Sequence, residues 1–124
     1  MFVAGAAQAA EPMSGAEFDA YTRGKTLTFL EGGQSYGAEE YRPGRQVKWA
    51  FKDGECQDGK WWEPEPGLIC FVYDNAPTDS QCWNFYRTET GLMARFANEL
   101  GGTNLYEAEQ SRQPLLCLGP EVGV

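Results

Sequence analysis

Three sets of residues in this sequence could carry chemistry: four cysteines, a spread of carboxylates and a dense population of aromatics. Cys56, Cys70, Cys82 and Cys117 are even in number, and none lies in a Cys-x-x-Cys pair. That spacing speaks against a zinc ribbon or a dithiol redox centre. In an oxidising compartment the same four residues form two disulfides. Four cysteines allow three pairings. Cys70–Cys82 is favoured because both fall in neighbouring strands joined by one loop, which leaves Cys56–Cys117. In the chain-entropy model these loops contribute about 3 and about 4 kcal/mol respectively. The competing arrangement is four reduced, buried cysteines in a cytosolic protein.

The carboxylates are placed for turns more than for catalysis. Histidine is absent, which removes a Ser-His-Asp triad, a Cys-His pair and imidazole-based zinc sites. Asp53, Glu55 and Asp58, with Gly54 and Gly59, make a carboxylate-bearing loop, and Asp74 with Asp79 makes another. Calcium takes several oxygens from a tight loop, but the EF-hand spacing is missing. Turns favour Asp and Gly for conformational reasons alone. No metal and no cofactor is expected. An enzyme without histidine could use two carboxylates, as glycosidases do. Glu39 and Glu40 are adjacent and point to opposite faces of a strand, the wrong geometry for such a pair. Ser14, Ser35, Ser80 and Ser111 lack a nucleophile-elbow context. No catalytic residue is assigned.

The aromatics are seven Phe, six Tyr and four Trp. Trp49, Phe71, Trp83 and Phe85 fall on consecutive predicted strands and are the candidates for lining a ligand cavity, since pockets are mostly apolar. Trp61, Phe51 and Phe96 belong to the same set. The competing reading is a filled core; small eight-stranded barrels accommodate either. Trp61 and Trp62 are adjacent, so only one can enter the core. An outward Trp62 with Glu63 and Glu65, beside Pro64 and Pro66, is the candidate interaction patch, as tryptophan is enriched in binding hot spots.

Ten Lys and Arg against 18 Asp and Glu give a net charge of −8. So acidic a chain has no phosphate-binding footprint, which makes nucleic acid and anionic membranes poor partners. No stretch approaches the ~20 apolar residues of a membrane span. The chain length fits one domain, expected over residues 11–124. Residues 1–10 are small and apolar, and Ala7-Gln8-Ala9 has the A-x-A form of a signal-peptidase site. A basic region and a full apolar core are missing before it. The expectation is the remainder of a signal peptide whose start lies upstream, or else a disordered alanine-rich tail. Export to the periplasm follows from the first.

One helix and a series of short strands must position these residues. Ser14 and Glu17 form a capping box, with Met13 and Phe18 as its hydrophobic staple, and Gly24 ends the helix. Strands are expected over residues 25–31, 35–42, 46–52, 60–63, 68–73, 81–87, 92–97, 104–110 and 114–118. In the third, Val47, Trp49 and Phe51 share a face. Residues 63–67, rich in proline, are expected to end a strand. Residues 74–80 are expected as a polar loop. Regular short strands with glycine-rich turns make a mainly β fold, an antiparallel up-and-down meander closing into a barrel or half-barrel.

Gly54-Glu55-Cys56, Gly59-Lys60-Trp61, Ile69-Cys70-Phe71, Cys82-Trp83 and the hairpin at Gly91 together resemble small exported bacterial proteins of unknown function with a lipocalin-like β-barrel. The likeness covers the middle third of the chain. It implies an exported β-meander with Cys70–Cys82 as a structural bridge, and it carries no catalytic residue across. The functional expectation is an exported binding module for an apolar ligand or a protein partner. The alternative is a structural or inhibitor-like protein acting through the loop around Trp62 and residues 63–67.

Overall fold

The structure, a computed structural model, describes residues 11–51, 54–98 and 102–117. The first element is the capped helix α1 (Gly15–Thr22). The Ser14 hydroxyl accepts from the Glu17 amide, and the Glu17 carboxylate accepts from the Ser14 amide. Phe18 and Met13 are both buried in the core, and Gly24 follows the helix at a φ of +80°. The Ala7-Gln8-Ala9 site lies outside the described residues.

Eight strands follow: β1 (Thr26–Glu31), β2 (Gln34–Arg42), β3 (Gln46–Phe51), β4 (Gln57–Glu65), β5 (Leu68–Tyr73), β6 (Ala76–Thr88), β7 (Gly91–Phe96) and β8 (Asn104–Ser111). Each pairs antiparallel with the next, and β8 returns to β1, so the sheet is a closed barrel. Closure removes the open edges that would otherwise template pairing with another chain. The mainly β meander expected from the sequence is therefore present, as a full barrel.

Inward positions follow the pleat. Leu27 and Phe29, Tyr41, Val47, Trp61, Ile69 and Phe71, Trp83 and Phe85, Leu92 and Ala94, and Leu105 supply the core from successive strands. Two inward glycines make room for rings. A Cβ on Gly37 would lie 2.5 Å from the Trp49 indole and 2.6 Å from the Ala50 carbonyl. One on Gly59 would lie 2.6 Å from the Tyr73 ring and 2.4 Å from the Val72 carbonyl. Because backbone atoms are among the obstacles, neither strand can admit a side chain without moving.

Three expectations about elements need correcting. β4 runs on through Pro64 to Glu65, since the register shifts between Trp62 and Glu65 and the proline falls in that irregularity. β6 begins at Ala76, because the chain expected as a loop stays extended across a register shift opposite Phe71 and Tyr73. The described part of the expected last strand, residues 114–117, pairs with no strand. Instead, the C-terminal segment runs beside β1 and β2: the Thr26 hydroxyl donates to the Gln113 carbonyl, and the Leu115 amide donates to the Glu40 carboxylate.

Both disulfides form as favoured. Cys70 and Cys82 stand opposite each other on β5 and β6, and Cys56 joins Cys117. Disulfides of this kind fit an oxidising environment. Among the described residues, no helix is long and apolar enough to cross a membrane.

Candidate functional site

The two ends of the barrel are built differently. At the end where β1 starts, α1 presses Phe18 into the opening. The Phe18 ring is fully buried and meets Tyr41 at 5.5 Å, Trp61 at 5.1 Å and Phe85 at 4.3 Å between centroids. The helix is fastened at both of its ends. The Glu63 carboxylate accepts from the amides of Gly15 and Gly67, both at 2.9 Å. The Tyr21 hydroxyl donates to Glu107 at 2.8 Å, and the same carboxylate accepts from the Leu92 amide. The Arg45 guanidinium covers the Trp61 indole at 4.4 Å. This end is closed.

At the opposite end lies a cavity of about 150 Å³, reached past Tyr36 of β2, Phe51 at the end of β3, Gln57 at the start of β4 and Asn75 after β5. Trp49, Phe71, Trp83 and Phe85 all line it. They come from β3, β5 and β6, whose alternation puts these residues on the inner face. Around the mouth, Tyr36, Trp49 and Phe51 have ring centroids 5.4–5.7 Å apart and mostly steep interplanar angles. Phe51 is 56% exposed, a large apolar ring facing water at the entrance. Gln57, Asn75, Asp79 and Gln81 add polar groups there.

The wall also holds a carboxyl. Glu39 on β2 points inward between Gly37 and Tyr41 and is only 4% exposed. The Tyr73 hydroxyl donates a hydrogen bond to it. Burial pushes the Glu39 carboxyl up to about 8, against the opposing effect of the Tyr73 and Tyr41 hydroxyls. At neutral pH the free site therefore holds it mostly protonated. Burial, and then Glu39 itself, raises both tyrosine hydroxyls well above their usual value. The Tyr41 hydroxyl is buried beside Glu39, and among the described residues it makes no closely aligned hydrogen bond.

Adjacency to Glu40 presents Glu39 in the sequence only as half of an unsuitable pair, and so hides it as a site residue. The signal was present in β2, where residues 37, 39 and 41 share one face and Tyr41 marks that face as inward. Glu40 does point outward, to Arg42 and Leu115.

The candidate interaction residues are divided by the structure. Trp62 faces out and is 37% exposed, while Trp61 is in the core. Glu63 is engaged by two backbone amides and holds α1 to the β4–β5 turn. Glu65 is exposed. Among the described residues no cluster of three or more carboxylates and cysteines could hold a metal ion; Asp53 lies outside them.

No protein-family model matches the chain, and neither a curated protein nor a solved structure matches it. Function has to be read from the cavity itself.

Proposed function

We propose that the protein is an exported, periplasmic binding module, lipocalin-like in design, that takes a small ligand into the open end of its barrel. One observation carries this reading. The four aromatics singled out by strand periodicity converge on a single cavity that is sealed at one end by α1 and open at the other. A cavity of about 150 Å³ is the size that accepts one benzene-like ring. The paired cysteines agree with export. A mouth ringed by Tyr36, Trp49 and Phe51 offers apolar contact at the entrance.

Filling the cavity tests this. Ala94, 1% exposed, lines the cavity from β7. Ala94→Leu is expected to abolish the thermal shift that small ring compounds produce in the native protein. Native mass spectrometry of protein purified from an oxidising compartment should show a co-purifying small molecule in the native chain and none in the variant. Equal thermal shifts in both proteins would overturn the reading.

Partner capture through Trp62 is the second reading. Its support is the exposed indole beside a surface groove shared with Lys60, Val72 and Pro77. Trp62→Ala would then abolish capture without moving the melting temperature. The engagement of Glu63 with the protein's own backbone leaves this patch fewer free polar groups than the sequence promised.

A further inference from the structure

The chemistry of the cavity wall narrows the class of ligand, on the premise that the cavity is a binding site. Apolar contact explains the rings but not Glu39. A carboxyl taken out of water costs several kcal/mol when ionised and unpaired, and an aliphatic residue would fill the same inward position on β2 at no such cost. The groups that face Glu39 are the hydroxyls of Tyr41 on its own strand and Tyr73 on β5. Tyr36 faces Tyr73, and Glu107 of β8 acts on Tyr41. None of these is a cation, and among the described residues no Lys or Arg lines the cavity. Asp79 at the mouth adds a second acidic group. The wall is thus acidic, aromatic and without a counter-ion. It also holds the Tyr41 hydroxyl, whose oxygen accepts no hydrogen bond among the described residues.

We propose that the ligand is a small protonated organic amine, whose ammonium sits against the Glu39 carboxylate and the Tyr41 hydroxyl while its carbon skeleton lies on the ring faces of the cavity. Each part of the wall then has a partner. The ring faces attract a cation through their quadrupoles. The carboxylate supplies the opposite charge in a water-poor site, and an ammonium N–H satisfies Tyr41. The net charge of −8 draws cations toward the molecule as a whole. A neutral Glu39 must lose its proton to pair with the ammonium. Binding therefore transfers up to one proton from the carboxyl to the buffer, approaching one well below pH 8, and the protonated amine gains affinity as pH rises toward that value.

Benzylammonium and benzyl alcohol share a shape and differ in charge, so they separate recognition of the ring from recognition of the ammonium. Binding to the oxidised full-length protein is followed by tryptophan fluorescence, since Trp49 and Trp83 line the cavity. The amine is expected to bind at least about tenfold more tightly than the alcohol. Glu39→Gln should remove the amine's advantage and bring the two affinities together. Calorimetry in buffers of different ionisation enthalpy should detect proton release with the amine at pH 7 and none with the alcohol. Equal affinities in the native protein would overturn the amine while leaving the binding module in place. If neither compound binds, or if Ala94→Leu fails to weaken the amine, both readings fall. Should Glu39→Gln fail to fold, proton release by the native protein still decides the matter: its absence on amine binding overturns the proposal.

Discussion

Glu39 has a consequence for the stability of the protein. Its carboxyl keeps a proton in the folded state that the unfolded chain releases near the ordinary carboxylate value, because burial raises it to about 8. Between those two values the folded state binds more protons, so stability falls as pH rises, at up to about 1.4 kcal/mol for each pH unit. Above about 8 the carboxyl is ionised in both states and that loss is complete. Glu39→Gln keeps the shape of the neutral carboxyl and cannot ionise. Urea denaturation from pH 5 to 9 should therefore show a decline in the native protein that is much reduced in Glu39→Gln; parallel curves would mean that the carboxyl is not buried in solution. At this scale the sequence was only partly legible. Aromatic positions are readable from alternation, because ring burial is their ordinary fate. An inward glutamate contradicts the rule that inward positions are apolar, and only its shared face with Tyr41 reveals it.

At the scale of elements, α1 works as a stopper. Its hydrophobic contribution comes largely through Phe18, since Gly15 and Thr22 are the other buried positions on the helix. Phe18→Ala should cost about 3–5 kcal/mol, as for other buried aromatic truncations, and should open the closed end to water. Glu63→Gln is milder. It keeps the side-chain shape but weakens two charge-assisted bonds to Gly15 and Gly67, a loss of about 1–2 kcal/mol. Hydrogen exchange at the amides of α1 should rise in both variants. An unchanged exchange pattern in Glu63→Gln would show that packing alone fastens the helix. The helix was legible from its capping box because capping is a local, three-residue signal. The ends of β4 and β6 were not. Both are continued by register shifts, and a shift depends on what the partner strand offers, which no local pattern encodes.

At the scale of the molecule, closure rests on contacts that are distant in sequence. β1 pairs with β8, Thr26 opposite Ser111, and such pairing has no local signature. Hence the sequence left barrel and half-barrel open. The two disulfides act at different levels of this design. Cys70–Cys82 links strands that are already neighbours, across a separation of 12 residues. Cys56–Cys117 spans 61 residues and holds the segment that follows β8 near the link between β3 and β4. In the chain-entropy model the longer loop stabilises more, about 4 kcal/mol against about 3. Replacing Cys56 and Cys117 together by alanine should therefore lower the unfolding free energy by about 4 kcal/mol. The ladder from β1 to β8 does not depend on that bond, and neither Cys56 nor Cys117 lines the cavity. The proposed cavity binding, measured well below the new melting temperature, should accordingly be the same in the variant and the native protein. Loss of binding in a variant that still shows the native β circular dichroism would mean that the tethered tail, through its hydrogen bond to Glu40, helps to hold β2 and thus Glu39 in place.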